Sequence, residues 1–231
     1  MWAIAAVFAA LFTVQCRAAD FSDFVSATDT TDGASRQNSV MIFGGRMSST
    51  NLASTLLFNR VSRFGLSPYQ PYYENYIVGG GYQRDVYRLG GFVIAGEIGL
   101  ADRFGHYTDC CAPIEKTTTS SSIVNSGELW FGPAFRYEAI VFFKTVRFVP
   151  GITAGFSLVT NSIGAEEGHV EFYHGNATFL GYLGFEAAFS LVSAPALELV
   201  IEEHHRSGAD ALFGKLHEGY NANVVGLRYR F

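Results

Sequence analysis

The chain has 231 residues, 48% of them hydrophobic and 16% charged, a formal net charge of -5, and 21 Phe, 12 Tyr and 25 Gly beside six Pro. The acidic balance excludes a nucleic-acid binder that works through a basic, phosphate-contacting stripe, and the aromatic and glycine content favours strands and tight turns over helices. No C-x-x-C, H-E-x-x-H or G-x-S-x-G pattern occurs, so the commonest zinc and serine-hydrolase signatures are absent and no metal or cofactor is expected.

In chain order, residues 1–18 read as a secretory signal peptide: an apolar stretch from Ala3 to Val14, then small residues with Cys16 and Ala18 placed for cleavage after Ala18. The stretch lacks a preceding Lys or Arg, and a membrane-spanning helix is the competing reading, against which its short length counts. Gln15 before Cys16 argues against a lipoprotein anchor. Residues 19–37 are expected to form an N-terminal periplasmic segment and residues 38–231 the folded body.

From residue 38 onward the pattern is alternation. In the stretch from Gly91 to Gly105, Phe92, Ile94, Ile98, Leu100 and Phe104 share one face while Val93, Ala95, Glu97, Gly99 and Arg103 share the other. Leu129, Phe131, Phe135 and Tyr137 likewise oppose Glu128, Trp130, Gly132, Arg136 and Glu138. Further on, Phe179, Leu183, Phe185, Phe189 and Leu191 oppose Tyr182, Gly184, Glu186 and Ser190. A soluble sandwich alternates too, but its second face carries Lys and Thr toward water. Here that face holds Gly, Ala and opposite charges, as the crowded interior of a narrow barrel requires.

Eight such segments are predicted, at 38–47, 74–87, 91–105, 126–141, 147–160, 178–192, 196–207 and 220–231. Long polar connections follow the odd ones, and short turns such as R-L-G and S-A-P follow the others. The expected fold is therefore all-β: an eight-stranded antiparallel transmembrane β-barrel with long external loops and short periplasmic turns, in the outer membrane of a Gram-negative bacterium. The T-T-T-S-S-S run at 117–122 is assigned to an external loop, as are Cys110, Cys111, His106, His169, His174 and His217. Adjacent cysteines rarely close a relaxed disulfide, and the histidines lack a carboxylate or cysteine cluster at ligand spacing. The tyrosines of P-Y-Q-P-Y-Y-E-N-Y at 68–76 fit an interfacial girdle. In the last segment Val225, Leu227, Tyr229 and Phe231 share a face, and the terminal aromatic resembles the signal read by the barrel-assembly machinery of outer-membrane proteins.

With both ends of the barrel in the periplasm, the seventh segment runs outward. Leu197, Leu199 and Ile201 then face lipid, Glu198, Glu202, His204 and Arg206 face inward, and Glu203, His205 and Ser207 lie on the outer wall near the external rim. His205 and Ser207 are two residues apart on one face, within reach for a base to take the proton of a serine nucleophile. A carboxylate that orients the base completes such a set; Glu218 in the last loop is the first candidate, ahead of Asp210 and Glu203.

The motif H-H-R-S-G at 204–208, followed by a short loop, Glu218, Asn223 and V-V-G-L-R-Y-R-F, resembles the C-terminal region of the lipid A 3-O-deacylases (PagL-type), an acyloxyacyl hydrolase-like family of outer-membrane barrels. The resemblance implies an esterase that removes an ester-linked acyl chain from lipid A of lipopolysaccharide in outer-membrane lipid, with Ser207, His205 and Glu218 as a lipid-facing triad. The family commonly carries Asn after the serine to hold the oxyanion; here Gly208 stands there, and its backbone N–H is the expected substitute donor. The alternative is a catalytically inactive structural or binding barrel. A pore is disfavoured, because eight strands enclose space only for side chains.

Overall fold

The computed structural model describes residues 25–27, 36–48, 75–108, 119–217 and 219–231, so the expected signal peptide, Cys110, Cys111 and Glu218 lie outside the described residues. The strands are β1 (Val25–Ala27), β2 (Asn38–Ser48), β3 (Tyr76–Leu89), β4 (Phe92–Thr108), β5 (Thr119–Tyr137), β6 (Ile140–Phe142), β7 (Val146–Val159), β8 (Phe179–Leu191), β9 (Ala194–Ser207) and β10 (Gly219–Arg230). Among the described residues there is one helix, α1 (Ala165–Tyr173), between β7 and β8. Every pairing is antiparallel. β10 pairs with β2 and β7 with β8, which closes the sheet. Both β5 and β6 pair with β7, as successive parts of one wall strand, and β1 only adds to the free edge of β6, so the closed body is an eight-stranded barrel.

The two-residue period dictates an inverted distribution of polarity. Val40, Ile42, Val78, Ile98, Leu100, Phe135, Leu197 and Leu227 are exposed on the outside, while Glu97, Arg103, Glu128, Arg136, Glu198, Arg206, Arg228 and Arg230 are buried inside. An apolar belt around a charged interior is the arrangement that a bilayer favours and water does not. Buried charges survive only when paired, and the interior pairs them in layers. At the turn end, Arg136 meets Asp85 at 2.6 Å, Arg230 meets Glu138 at 2.6 Å, and Arg228 grips Glu186. In the middle, Glu97 accepts from Trp130 Nε1, Gln83 Nε2 and Thr153 Oγ1, each at 2.7 Å. Gly99 makes room for that indole: a Cβ there would lie 2.0 Å from Trp130. At the loop end, Glu128 accepts from Ser157 Oγ at 2.7 Å and Tyr220 Oη at 2.8 Å, with His204 Nε2 at 3.0 Å.

Helix α1 covers that end. Its Glu166 is fully buried and pairs with Arg103 at 3.1 Å and with Arg206. Glu166 and Glu167 stand in the first turn, where the helix dipole favours acids; the polar composition of this connection did not predict a helix. Two loop assignments are corrected. His106 belongs to β4, opposite Ile123, and residues 119–122 of the Thr/Ser run belong to β5, with Thr119 opposite Thr108. The β4–β5 ladder continues to the Thr108–Thr119 pair, into a Thr- and Ser-rich stretch whose sequence has no alternation of hydrophobicity to mark a strand.

Candidate active site

The site is built on β9 and its two neighbours. Ser207 lies opposite Gly219 of β10 and Gly181 of β8; His205 opposite Asn221 and Leu183; Glu203 opposite Asn223 and Phe185. On the far side of β10, Asn223 faces Arg46 of β2. The same parity that sends Leu197 and Ile201 into the exposed belt puts Glu203, His205, Ser207, Asn221 and Asn223 on the outer wall, at the end of the strands where the long connections lie. A polar patch thus interrupts an apolar wall.

Within it, His205 is half-buried and its Nδ1 lies 2.5 Å from Oδ1 of Asn221, a residue only 1% exposed. Ser207 is half-buried, and its Oγ accepts from the Ala209 N–H at 3.1 Å. Among the described residues no hydrogen bond joins Ser207 to His205. Of the carboxylates weighed from the sequence, Asp210 is exposed and bonded to His217 Nδ1 at 2.8 Å, and Glu203 is buried with neither carboxylate oxygen hydrogen-bonded to a described residue. Glu218 lies outside the described residues. His204 points inward to Glu128 and Glu202.

The β9–β10 loop is shaped by local geometry. Ala209, Asp210 and Ala211 take positive φ of 49, 55 and 71 degrees in succession, and the Phe213 N–H donates to the Gly208 carbonyl at 2.8 Å. This folds the loop down, so that Phe213 packs against the outward rings of Phe156 and Phe179 at 5.8 and 5.9 Å. Leu216 enters a small apolar cluster with Ala177 and Leu180, against Val170 and Tyr173 of α1. Gly208 is buried under this turn, and a Cβ on it would lie 1.9 Å from the Leu216 carbonyl oxygen. An asparagine there, as in the family resembled, does not fit this loop.

Asn221 was missed from sequence, although a signal existed: Asn221 and Asn223 stand on the parity of Val225, Leu227 and Tyr229, where lipid-facing side chains are expected. Among the described residues, no group of three or more His, Cys, Asp or Glu side chains converges to hold a metal.

No family model matches the chain, and no curated protein matches it. Among solved structures, the crystal structure of the outer membrane enzyme PagL matches with 10% identity, covering 84% of this chain and 99% of that one, at a TM-score of 0.47. Neisserial surface protein A (NspA) matches with 10% identity over 84% of this chain and 97% of its own, TM-score 0.43. Ail, the attachment invasion locus protein of Yersinia pestis, matches with 10% identity over 85% and 99%, TM-score 0.35.

Proposed function

We propose that this chain is an outer-membrane esterase that hydrolyses an ester-linked acyl chain of lipid A. The observation that carries the reading is the polar patch of His205, Ser207 and Asn221 on the lipid-facing wall at the loop end of β9. Polar groups facing lipid are costly and tend to mark function. An amphiphile in the outer leaflet meets that wall with its ester near the rim and its chains in the apolar belt. In the reaction, Ser207 Oγ attacks the ester carbonyl as His205 takes its proton, and the backbone N–H at Gly208 serves the oxyanion. Collapse expels the sugar alkoxide, which receives the proton from His205. Water activated by His205 then cleaves the acyl-serine, releasing the fatty acid and restoring the hydroxyl. Glu218 is assigned to orient the site as its carboxylate, and the C-terminal Phe231 to present the chain to the barrel-assembly machinery.

The second reading, a structural or binding barrel without chemistry, is favoured by one contact: the Ser207 hydroxyl is engaged by Ala209 rather than by His205. Catalytic hydrogen bonds often form only with substrate bound, and the esterase requires the Ser207 hydroxyl to turn then from Ala209 to His205. Mass spectrometry of lipid A from cells with and without the expressed protein separates the two. The esterase predicts a species lacking one ester-linked acyl chain, absent with Ser207→Ala; unmodified lipid A in cells carrying folded, inserted protein supports the inert barrel instead.

A further inference from the structure

We infer that Asn221 is the positioning residue that orients His205, its amide oxygen accepting the Nδ1 proton so that Nε2 is the bare nitrogen available as base. The catalytic consequence rests on the esterase reading above; the contact itself does not. Three observations converge on it. The pair is set by the β9–β10 ladder, in which His205 and Asn221 are directly opposite, so the contact is fixed by sheet register and does not depend on a loop closing over the site. The two polar atoms lie 2.5 Å apart. Asn221 is almost fully buried on a wall whose other odd-numbered β10 residues, from Val225 to Tyr229, are exposed and apolar, and a desolvated amide is stable only when its polar atoms are bonded.

The described carboxylates near His205 are otherwise placed. Asp210 accepts from His217. Glu202 and Glu128 face the interior with Tyr182 and His204. Glu203 shares the outer face, but its oxygens make no hydrogen bond to a described residue. An amide in this position has the chemistry of the Cys-His-Asn arrangement of papain-like proteases: it fixes the tautomer and the ring plane without adding a negative charge beside the imidazolium.

The test uses the full chain in detergent micelles, with two readouts. Nitrogen-15 spectra of the histidines, with His205→Ala identifying the signal, report which ring nitrogen carries the proton. Labelling of Ser207 by a fluorophosphonate probe across pH reports the competence of the base. Expected are an Nδ1-protonated His205 that loses this preference in Asn221→Ala, and a labelling rate at least about tenfold lower in that variant. In Asn221→Asp, labelling returns and the acid limb of its pH profile moves to higher pH, because a carboxylate touching the ring holds the imidazolium and the base must be neutral to act. That shift requires the new carboxylate to lie within about 4–6 Å of the ring, so Asn221→Asp tests the placement of the pair even where the alanine variant fails to assemble. Glu218→Gln, at the carboxylate assigned to the site, should lower labelling while leaving the Nδ1 tautomer of His205 in place. A tautomer unaffected by Asn221→Ala but lost in Glu218→Gln overturns the inference. Wild-type protein that resists the probe while its tautomer still responds to Asn221→Ala upholds the contact and removes the esterase reading.

Discussion

His204 and His205 are chemically identical neighbours with opposite surroundings, because a strand turns successive side chains to opposite faces. His204 is fully buried against Glu128 and ringed by Trp130 and Tyr182 at 5.0 and 4.8 Å; His205 stands on the outer wall beside Asn221. His204→Ala leaves part of a buried charge cluster uncompensated, a loss of about 3–5 kcal/mol by analogy with broken buried pairs. It should lower the temperature at which the folded gel band disappears while sparing serine labelling. His205→Ala should do the reverse, leaving the band unchanged and cutting labelling about a thousandfold or more. Loss of labelling in His204→Ala with the barrel intact would show the opposite assignment of faces. Parity alone made these two faces legible in the sequence. The partner of His205 was not, since a residue across a hairpin can be named only when the loop length and register are known, and the run of positive-φ residues from Ala209 to Ala211 carries no glycine to announce the turn.

At the scale of the elements, the eight predicted segments agree with the strands to within a few residues at most ends, because lipid on one side and a packed interior on the other enforce alternation along the membrane span. The agreement fails where that constraint ends, as in the outer part of the β4–β5 hairpin and at α1. It also fails to reveal the bulge in β3. There Asp85 pairs with Ala95 and Tyr87 with Ile94, leaving Val86 as an extra residue. Val86 and Tyr87 are both exposed, while Asp85 and Arg88 both reach the interior ion network. Deleting Val86 should therefore restore a regular ladder without moving any charge to the wrong face, and the variant should still give a β-type circular dichroism spectrum and a heat-modifiable band. Deleting Val78 from the same strand inverts every side chain on one side of the cut, and should abolish assembly. Equal damage from the two deletions would mean that the bulge itself is needed.

The whole molecule depends on its seam. The Phe231 N–H donates to the Asn38 carbonyl at 2.8 Å, and the Asn38 N–H to the Phe231 carbonyl at 3.0 Å, joining the last wall strand to the first. The Phe231 ring stacks near Tyr229 on the outer face at 6.2 Å. Removing Phe231 deletes two closing hydrogen bonds together with the terminal aromatic. Outer-membrane levels should fall several-fold, read by fractionation, while protein refolded in detergent keeps its barrel spectrum; unaltered levels would count against a role for this residue in assembly.

The layered ion pairs have an electrical consequence. From Arg230 and Glu138 at the turn end to Arg206 and Glu166 beneath α1, each layer holds its charges against their counter-charges. A hydrated ion entering the lumen would have to part several of these pairs in succession. The barrel is thus an insulator.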